Sequence, residues 1–162
     1  MSVEAIVEKV VNEVTLFTET PEANGGCSDI IPVAAIYWGD PGILPVNAYP
    51  ALTVQPIREL EDIETTGYEV LDLEILLTLL VDSRDYWDAD VLEASGDRKM
   101  VQVVENLRRW FRKDSNRSLD GMAGIREVRT SATDYMVQVR GSVIAKSAQV
   151  TLTVNAQYQR QL

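Results

Sequence analysis

Residues 68–81, YEVLDLEILLTLLV, constrain the fold more than any other stretch of the chain. Leu71, Leu73, Ile75, Leu77, Leu79 and Val81 occupy every second position, the period of a β-strand with one face on a core. The positions between them change character. Asp72 and Glu74 are polar, whereas Leu76 and Leu80 are apolar. One end of this strand therefore needs a wet face, and the other needs cover on both sides, from a helix or a neighbouring subunit.

The remaining pattern supplies partners for that strand. Residues 2–17 predict an amphipathic helix: Val3, Ile6, Val7, Val10, Val14 and Phe17 recur at helical spacing, and Ser2 is placed to cap the first turn. A second helix is expected over residues 97–113, with Met100, Val103, Val104, Leu107, Trp110 and Phe111 as its stripe. Asp97 in its first turn and Arg112 and Lys113 in its last suit the helix dipole. Residues 18–48, with Pro21, Gly25, Gly26 and the turn Gly39-Asp40-Pro41-Gly42, read as a flexible loop, as do residues 114–124. Residues 33–38 form a short apolar stretch, and residues 51–55 and 57–64 read as strand. Taking Thr65-Thr66-Gly67 as a three-residue turn places Arg58 opposite Glu74.

Two alternating runs close the chain. Val150, Leu152, Val154, Ala156 and Tyr158 alternate with polar residues, as do Tyr135, Val137, Val139, Gly141 and Val143 upstream. A turn at Lys146-Ser147, or a longer loop of the same parity, sets Val143 opposite Val150 and Val139 opposite Val154 on one apolar face. The opposite face, with Gln138, Arg140, Ser142, Thr151, Thr153, Asn155 and Gln157, is polar but nearly uncharged, which suits packing against another protein. The expected class is α+β: one domain over residues 1–162, a mostly antiparallel sheet packed by two main helices, with a long C-terminal hairpin.

Charge is divided along the chain. Residues 1–97 hold 3 Lys and Arg against 20 Asp and Glu, net −17; residues 98–162 hold 12 against 5, net +7. Opposed surfaces of this kind let identical copies dock front to back. The basic set centres on Arg108, Arg109, Arg112 and Lys113 of the second helix, and pairing with an acidic half is a better use of it than nucleic-acid binding. Leu76, Leu80, Gln138, Arg140, Thr151, Thr153 and Asn155 complete the residues expected at subunit contacts.

Catalytic chemistry finds little footing. The chain has no histidine, so serine–histidine and cysteine–histidine mechanisms are excluded and the commonest zinc ligand is missing. Its single cysteine, Cys27, rules out a disulfide framework and has no basic neighbour in sequence to activate it. Gly25-Gly26-Cys27-Ser28 lacks the Gly-Lys-Ser/Thr ending of a phosphate loop. Asp72 and Glu74 share a strand face, but Arg58 opposite Glu74 makes an ordinary cross-strand pair of them. Asp82, Asp85, Asp88 and Asp90 lack the spacing and glycine of a calcium loop. No catalytic residue, metal or cofactor is expected. No apolar run is long enough for a helical membrane span, and no secretory signal is expected.

The order of these elements resembles a known family. An N-terminal helix leads to Tyr49-Pro50-Ala51-Leu52-Thr53-Val54; a long strand ends in Val81-Asp82-Ser83-Arg84-Asp85; a helix and a hairpin closing on Val150-Thr151-Leu152-Thr153-Val154 follow. This arrangement resembles the tail terminator, or tail completion, proteins of tailed bacteriophages. The resemblance implies a non-enzymatic ring, usually a hexamer, assembled in the host cytoplasm and placed in the virion. Such a ring caps the tail tube, stops its growth and meets the head connector, with DNA passing through the lumen only as cargo. The head–tail joining proteins of the neck have similar size and composition, and a non-viral protein-binding adaptor also fits the missing catalytic groups. Residues 18–48 depart from the family pattern as a long insertion rich in Pro and Gly.

Overall fold

The computed structural model describes residues 2–65, 67–84, 87–88 and 93–159, without the side chains of 63–65, 87–88, 93–95 and 114. The first helix, α1 (Val3–Glu19), begins where Ser2 Oγ accepts a hydrogen bond from the Ala5 amide at 3.1 Å, satisfying one orphan donor of the first turn. It stops at Thr20, which turns extended ahead of Pro21, as the steric demand of a following proline requires. Ile6, Val7, Val10, Val14 and Phe17 are fully buried.

Four strands and a fifth short one form the sheet. β1 (Ala35–Trp38) runs parallel to β2 (Ala51–Thr65), which pairs antiparallel with β3 (Tyr68–Asp82). A two-residue pair, β4 (Trp87–Asp88) and β5 (Glu93–Ala94), stands apart and leads to α2 (Ser95–Arg112) and the single turn α3 (Asp114–Arg117). β6 (Ile125–Arg140) and β7 (Val143–Gln159) complete the sheet, whose order is β1-β2-β3-β7-β6. The class is α+β, with a mostly antiparallel sheet and a long C-terminal hairpin, as the sequence indicates.

The apolar face of β3 lies at the centre. Leu73, Ile75 and Leu77 are buried beneath α1 and α2, together with Leu52 and Val54 of β2 and Val150, Leu152 and Val154 of β7. α1 packs over β1 and β2, and α2 over β6 and β7. The helices meet through Phe17 and Trp110, edge to face at 5.6 Å, while Trp110 Nε1 donates to the buried Glu13 Oε2 at 3.4 Å.

On the reverse face, the Leu80 end of β3 is covered by the chain's own 39–50 segment and not by a helix. Residues of the 39–50 segment, Leu44, Ala48 and Tyr49, bury Ala51, Leu80, Val143 and Ala145 in a second, smaller cluster. The remainder of that face is mostly polar, with Leu76 half-buried and Leu60 and Met136 exposed among the polar residues. Asp72 and Glu74 are half-buried there, and Asp72 Oδ1 accepts from Asn155 Nδ2 at 2.7 Å.

Register brings one agreement and one correction. Arg58 stands opposite Glu74, although a second irregularity between Ile63 and Thr65 lets the hairpin close with Thr65 opposite Tyr68. The C-terminal hairpin turns at Gly141-Ser142, not at Lys146-Ser147: Arg140 pairs with Val143 and Val139 with Ile144. Gly141 has φ +62, the positive value that the first position of a two-residue Gly-X turn requires, whereas Lys-Ser has no residue suited to it. Residues 145–159 must also stay continuous, because β3 pairs along them from Asp82 to Tyr68. Val143 consequently faces the smaller cluster, away from Val150.

The segments read as loops carry structure. Residues 18–48 contain β1 and two 3-10 turns (Glu22–Asn24 and Val46–Ala48), and bury Cys27, Ile31 and Leu44; residues 114–124 contain α3 and the buried Leu119. Gly26 is the tightest point. A Cβ added there would lie 2.0 Å from the Thr20 carbonyl oxygen, and the Gly26 carbonyl accepts from Asn106 Nδ2 of α2 at 3.1 Å. Gly26→Ala therefore forces the end of α1 away from α2. The expected loss is about 3 kcal/mol, at the upper end of overpacking costs. Urea unfolding checks it; a loss below about 0.5 kcal/mol would show that the backbone relaxes freely there.

Candidate functional site

Because α1 and β1–β3 occupy one side of the sheet and α2, α3, β6 and β7 the other, the charge division along the chain becomes a division in space. At one edge, β2 exposes Arg58, Glu59, Glu61 and Asp62; Glu8 of α1 is also exposed but borders Asp120, Gly121 and Met122. Glu59, Glu61 and Glu69 approach the Tyr158 hydroxyl. Burial, the hydrogen bond to Glu69 and the three carboxylates raise its pKa above that of an ordinary tyrosine. At the opposite edge lie Arg109, Arg112 and Arg117 of the helices and Arg129 of β6, all exposed, with Arg108 half-buried. Among the described residues, none of these five guanidiniums takes part in an ion pair. Lys113 is engaged otherwise, with Nζ 4.4 Å from the Trp110 ring centroid and 3.2 Å from where a Cβ on Gly25 would sit.

The two edges are also the places where backbone pairing stops. Among the described residues, β1 covers β2 only over residues 51–54, leaving residues 55–65 without an outer strand, and β6 has no outer strand. Pro56 sits at a bulge just beyond the reach of β1, the kind of position where a strand tolerates proline.

The remaining expected contact residues divide between surface and interior. Thr151 and Asn155 are half-buried on the polar reverse face, and Leu76 is half-buried beside them. Leu80 is completely buried by its own chain, and Thr153 is buried, so neither offers a surface. Gln138 Nε2 donates to Ser147 Oγ at 3.2 Å. Arg140 is held internally: its Nη1 and Nη2 bind Asp40 at 2.7 and 2.9 Å, Nη1 reaches the Gly42 carbonyl at 2.8 Å, and Nε binds Gln138 Oε1. Its side chain is only 9% exposed, so it clamps the 39–42 turn onto the hairpin tip and is not available for a neighbour.

Sequence reasoning missed one apolar surface. Tyr135, Val137, Val139 and Ile144 share the helix side of the hairpin but extend past α2, and Val139 is 75% exposed. With Asp97, Met100, Val101 and Lys146 the first two border a cleft of about 340 Å³, crossed by the Lys146–Asp97 ion pair at 2.8 Å. The signal was present in the alternation of residues 135–139; only the misplaced turn assigned it to the core.

The chemistry of the other candidate groups is quiet. Cys27 is buried, and desolvation with the nearby Asp29 charge raises its pKa to about 12, so it remains a thiol at neutral pH. Asp82 is bound by Arg84 at 2.7 Å, which lowers its pKa; the side chains of Asp85, Asp88 and Asp90 lie outside the described residues. Among the described residues no three His, Cys, Asp or Glu side chains gather as a metal site, and no helix is long and apolar enough to cross a membrane. In comparison with known proteins, no family model and no curated protein matches the chain.

The Asp40–Arg140 clamp is titratable. Hydrogen bonding to Arg140 holds the Asp40 pKa below its ordinary 3.8, against the opposing cost of burial. A lowered folded-state pKa contributes stability that is complete above the unfolded value and is lost as pH falls through the folded one. Asp40→Asn should therefore cost roughly 1–2 kcal/mol at pH 7, by the scale of charged hydrogen bonds. The difference from the parent chain should begin to shrink as pH falls below the ordinary 3.8 and disappear only below the lowered folded-state value, where Asp40 is neutral in the fold as well. Paired denaturant melts at neutral and acid pH read this directly; an unchanged difference across that range would contradict the clamp.

Proposed function

We propose that this protein is a structural subunit that assembles head to tail into a closed ring. In this reading the ring caps a bacteriophage tail tube, ends its polymerisation and joins it to the head connector. The observation that carries the assembly is the placement of opposite charge on opposite sheet edges: Glu59 and Glu61 at one, Arg108, Arg109, Arg112 and Arg117 at the other. A ring contact joins two different patches of the same chain, and a rotation that closes it leaves no patch unused. Charge complementarity sets the register and orientation of such a contact.

The assignment to a phage tail adds the sequence resemblance to tail terminators, through Tyr49-Pro50-Ala51-Leu52-Thr53-Val54 and the helix-then-hairpin order. The protein acts by holding other proteins in place and carries out no catalysis. Its partners are further copies of itself, the tail tube protein and the connector. DNA crosses the lumen without being held, since a wall poor in Lys and Arg gives phosphates little to bind. The ring belongs to the virion and forms in the host cytoplasm.

Light scattering coupled to size-exclusion chromatography, alone and with tail tube protein, tests the ring. A discrete oligomer of fixed subunit number is expected. A strict monomer in both conditions would overturn the reading. Charge reversal of Arg108, Arg109 and Arg112 to Glu should abolish the oligomer while leaving the far-ultraviolet circular dichroism unchanged. High salt should weaken the parent assembly, as screening acts on exposed charges.

A further inference from the structure

We infer that the contact between neighbouring copies is a β-sheet addition, in which the free edge of β2 in one copy joins antiparallel to the free edge of β6 in the next. This rests on the ring reading and assigns its contact to two particular strands.

Pairing geometry points to it first. Among the described residues, β6 is a long outermost strand whose outer backbone groups have no strand partner, and β2 is uncovered from residue 55 onward. Free edges of this length are templates for pairing with another chain. Along the sheet β2, β3, β7 and β6 alternate in direction, so β2 and β6 run opposite ways. Copies arranged side by side with their helices on one side therefore present these two edges in antiparallel orientation. The five-stranded sheets would continue into one another.

Charge then selects the occupant. Glu59 pairs with Leu73 and Glu61 with Leu71, so both lie on the helix side of β2. On β6, Val128 and Thr130 lie on the helix side, opposite Val154 and Leu152. Arg112 and Arg117 flank that part of β6, bordering with residues 127–130 an open cleft of about 280 Å³. An added strand there meets Arg112 and Arg117 on the helix side, with Arg129 on the other face of β6, and the β2 edge carries its two carboxylates on the helix side. Neither Glu59 nor Glu61 is in an ion pair among the described residues, and neither Arg112 nor Arg117 is. The bulge between Thr130 and Thr133 interrupts β6, whose pairing with β7 resumes from Thr133 to Arg140, and so bounds the segment 127–130. β1, flanking residues 51–54, marks the corresponding limit on β2.

Two experiments test the strands. In the first, the exposed Leu60 and Ser131 are both changed to cysteine, and the protein is treated with a short bis-maleimide. Cys27 is buried with its pKa raised to about 12, so the engineered thiols react selectively. The double variant should give a ladder of covalent multimers, while L60C alone and S131C alone should give none. Dimers from L60C alone would mean that like edges meet, and would overturn the inference. In the second, E59R/E61R and R112E/R117E should each weaken self-association on the order of tenfold or more, and the quadruple variant should recover it. If the parent chain forms a discrete oligomer but shows no ladder and no response to these reversals, the strand contact is wrong and the ring stands. If the parent chain is a monomer at every concentration, the ring falls with it.

Discussion

Everything in this fold depends on burying one face of β3. Its apolar odd positions cannot be satisfied by a neighbouring strand, because strands pair edge to edge and leave their faces open. They require a layer, and α1 and α2 supply it, with Leu73, Ile75 and Leu77 beneath them and Phe17 against Trp110 locking the two helices together. At about 25 cal/mol per Å² of apolar surface, this is the dominant favourable term available to a chain with one cysteine and no disulfide. The close pass of Gly26 beside Thr20, and the hydrogen bond from Asn106, belong to the same requirement: two helices can share one face only if the chain between α1 and the sheet stays thin.

A central β3 also decides where charge goes. Strands before it in sequence lie on one side and strands after it on the other, so an acidic N-terminal portion and a basic C-terminal portion end at opposite edges. Net charge by itself says nothing about assembly. Sign separated across a molecule, on surfaces where backbone hydrogen-bonding groups are also free, describes a subunit with a front and a back. The hairpin tip adds a third surface of different character, apolar at Tyr135, Val137 and Val139, anchored by the Asp40–Arg140 clamp.

The C-terminal hairpin shows where pattern reading stops. Alternation fixes which residues share a face but not how far one strand slides along another. A turn at 146–147 and a turn at 141–142 both keep Tyr135, Val137 and Val139 on the face of Val150. The choice needed two further facts: the positive φ that Gly141 alone accommodates, and the demand of β3 for an unbroken partner from residue 145 to 159. With the true register the apolar trio moves out past α2 and becomes surface, and Val143 crosses to the smaller cluster. Arg140, read as an exposed contact, becomes interior for the same reason, since Asp40 lies far away in sequence and near only in the fold.

Sequence alone determined the elements: a capped amphipathic α1, a second helix with its basic end, the long β3, the strand character of residues 57–64 and even the pairing of Arg58 with Glu74. These follow from local periodicity and short turns, which involve residues close along the chain. Tertiary structure decided which surfaces are free. It chose the 39–50 segment as the cover for Leu80, withdrew Arg140 and Thr153 from the outside, and brought Arg112 and Arg117 beside the open edge of β6. Those outcomes depend on packing between residues distant in sequence, and no periodicity within a single segment encodes them.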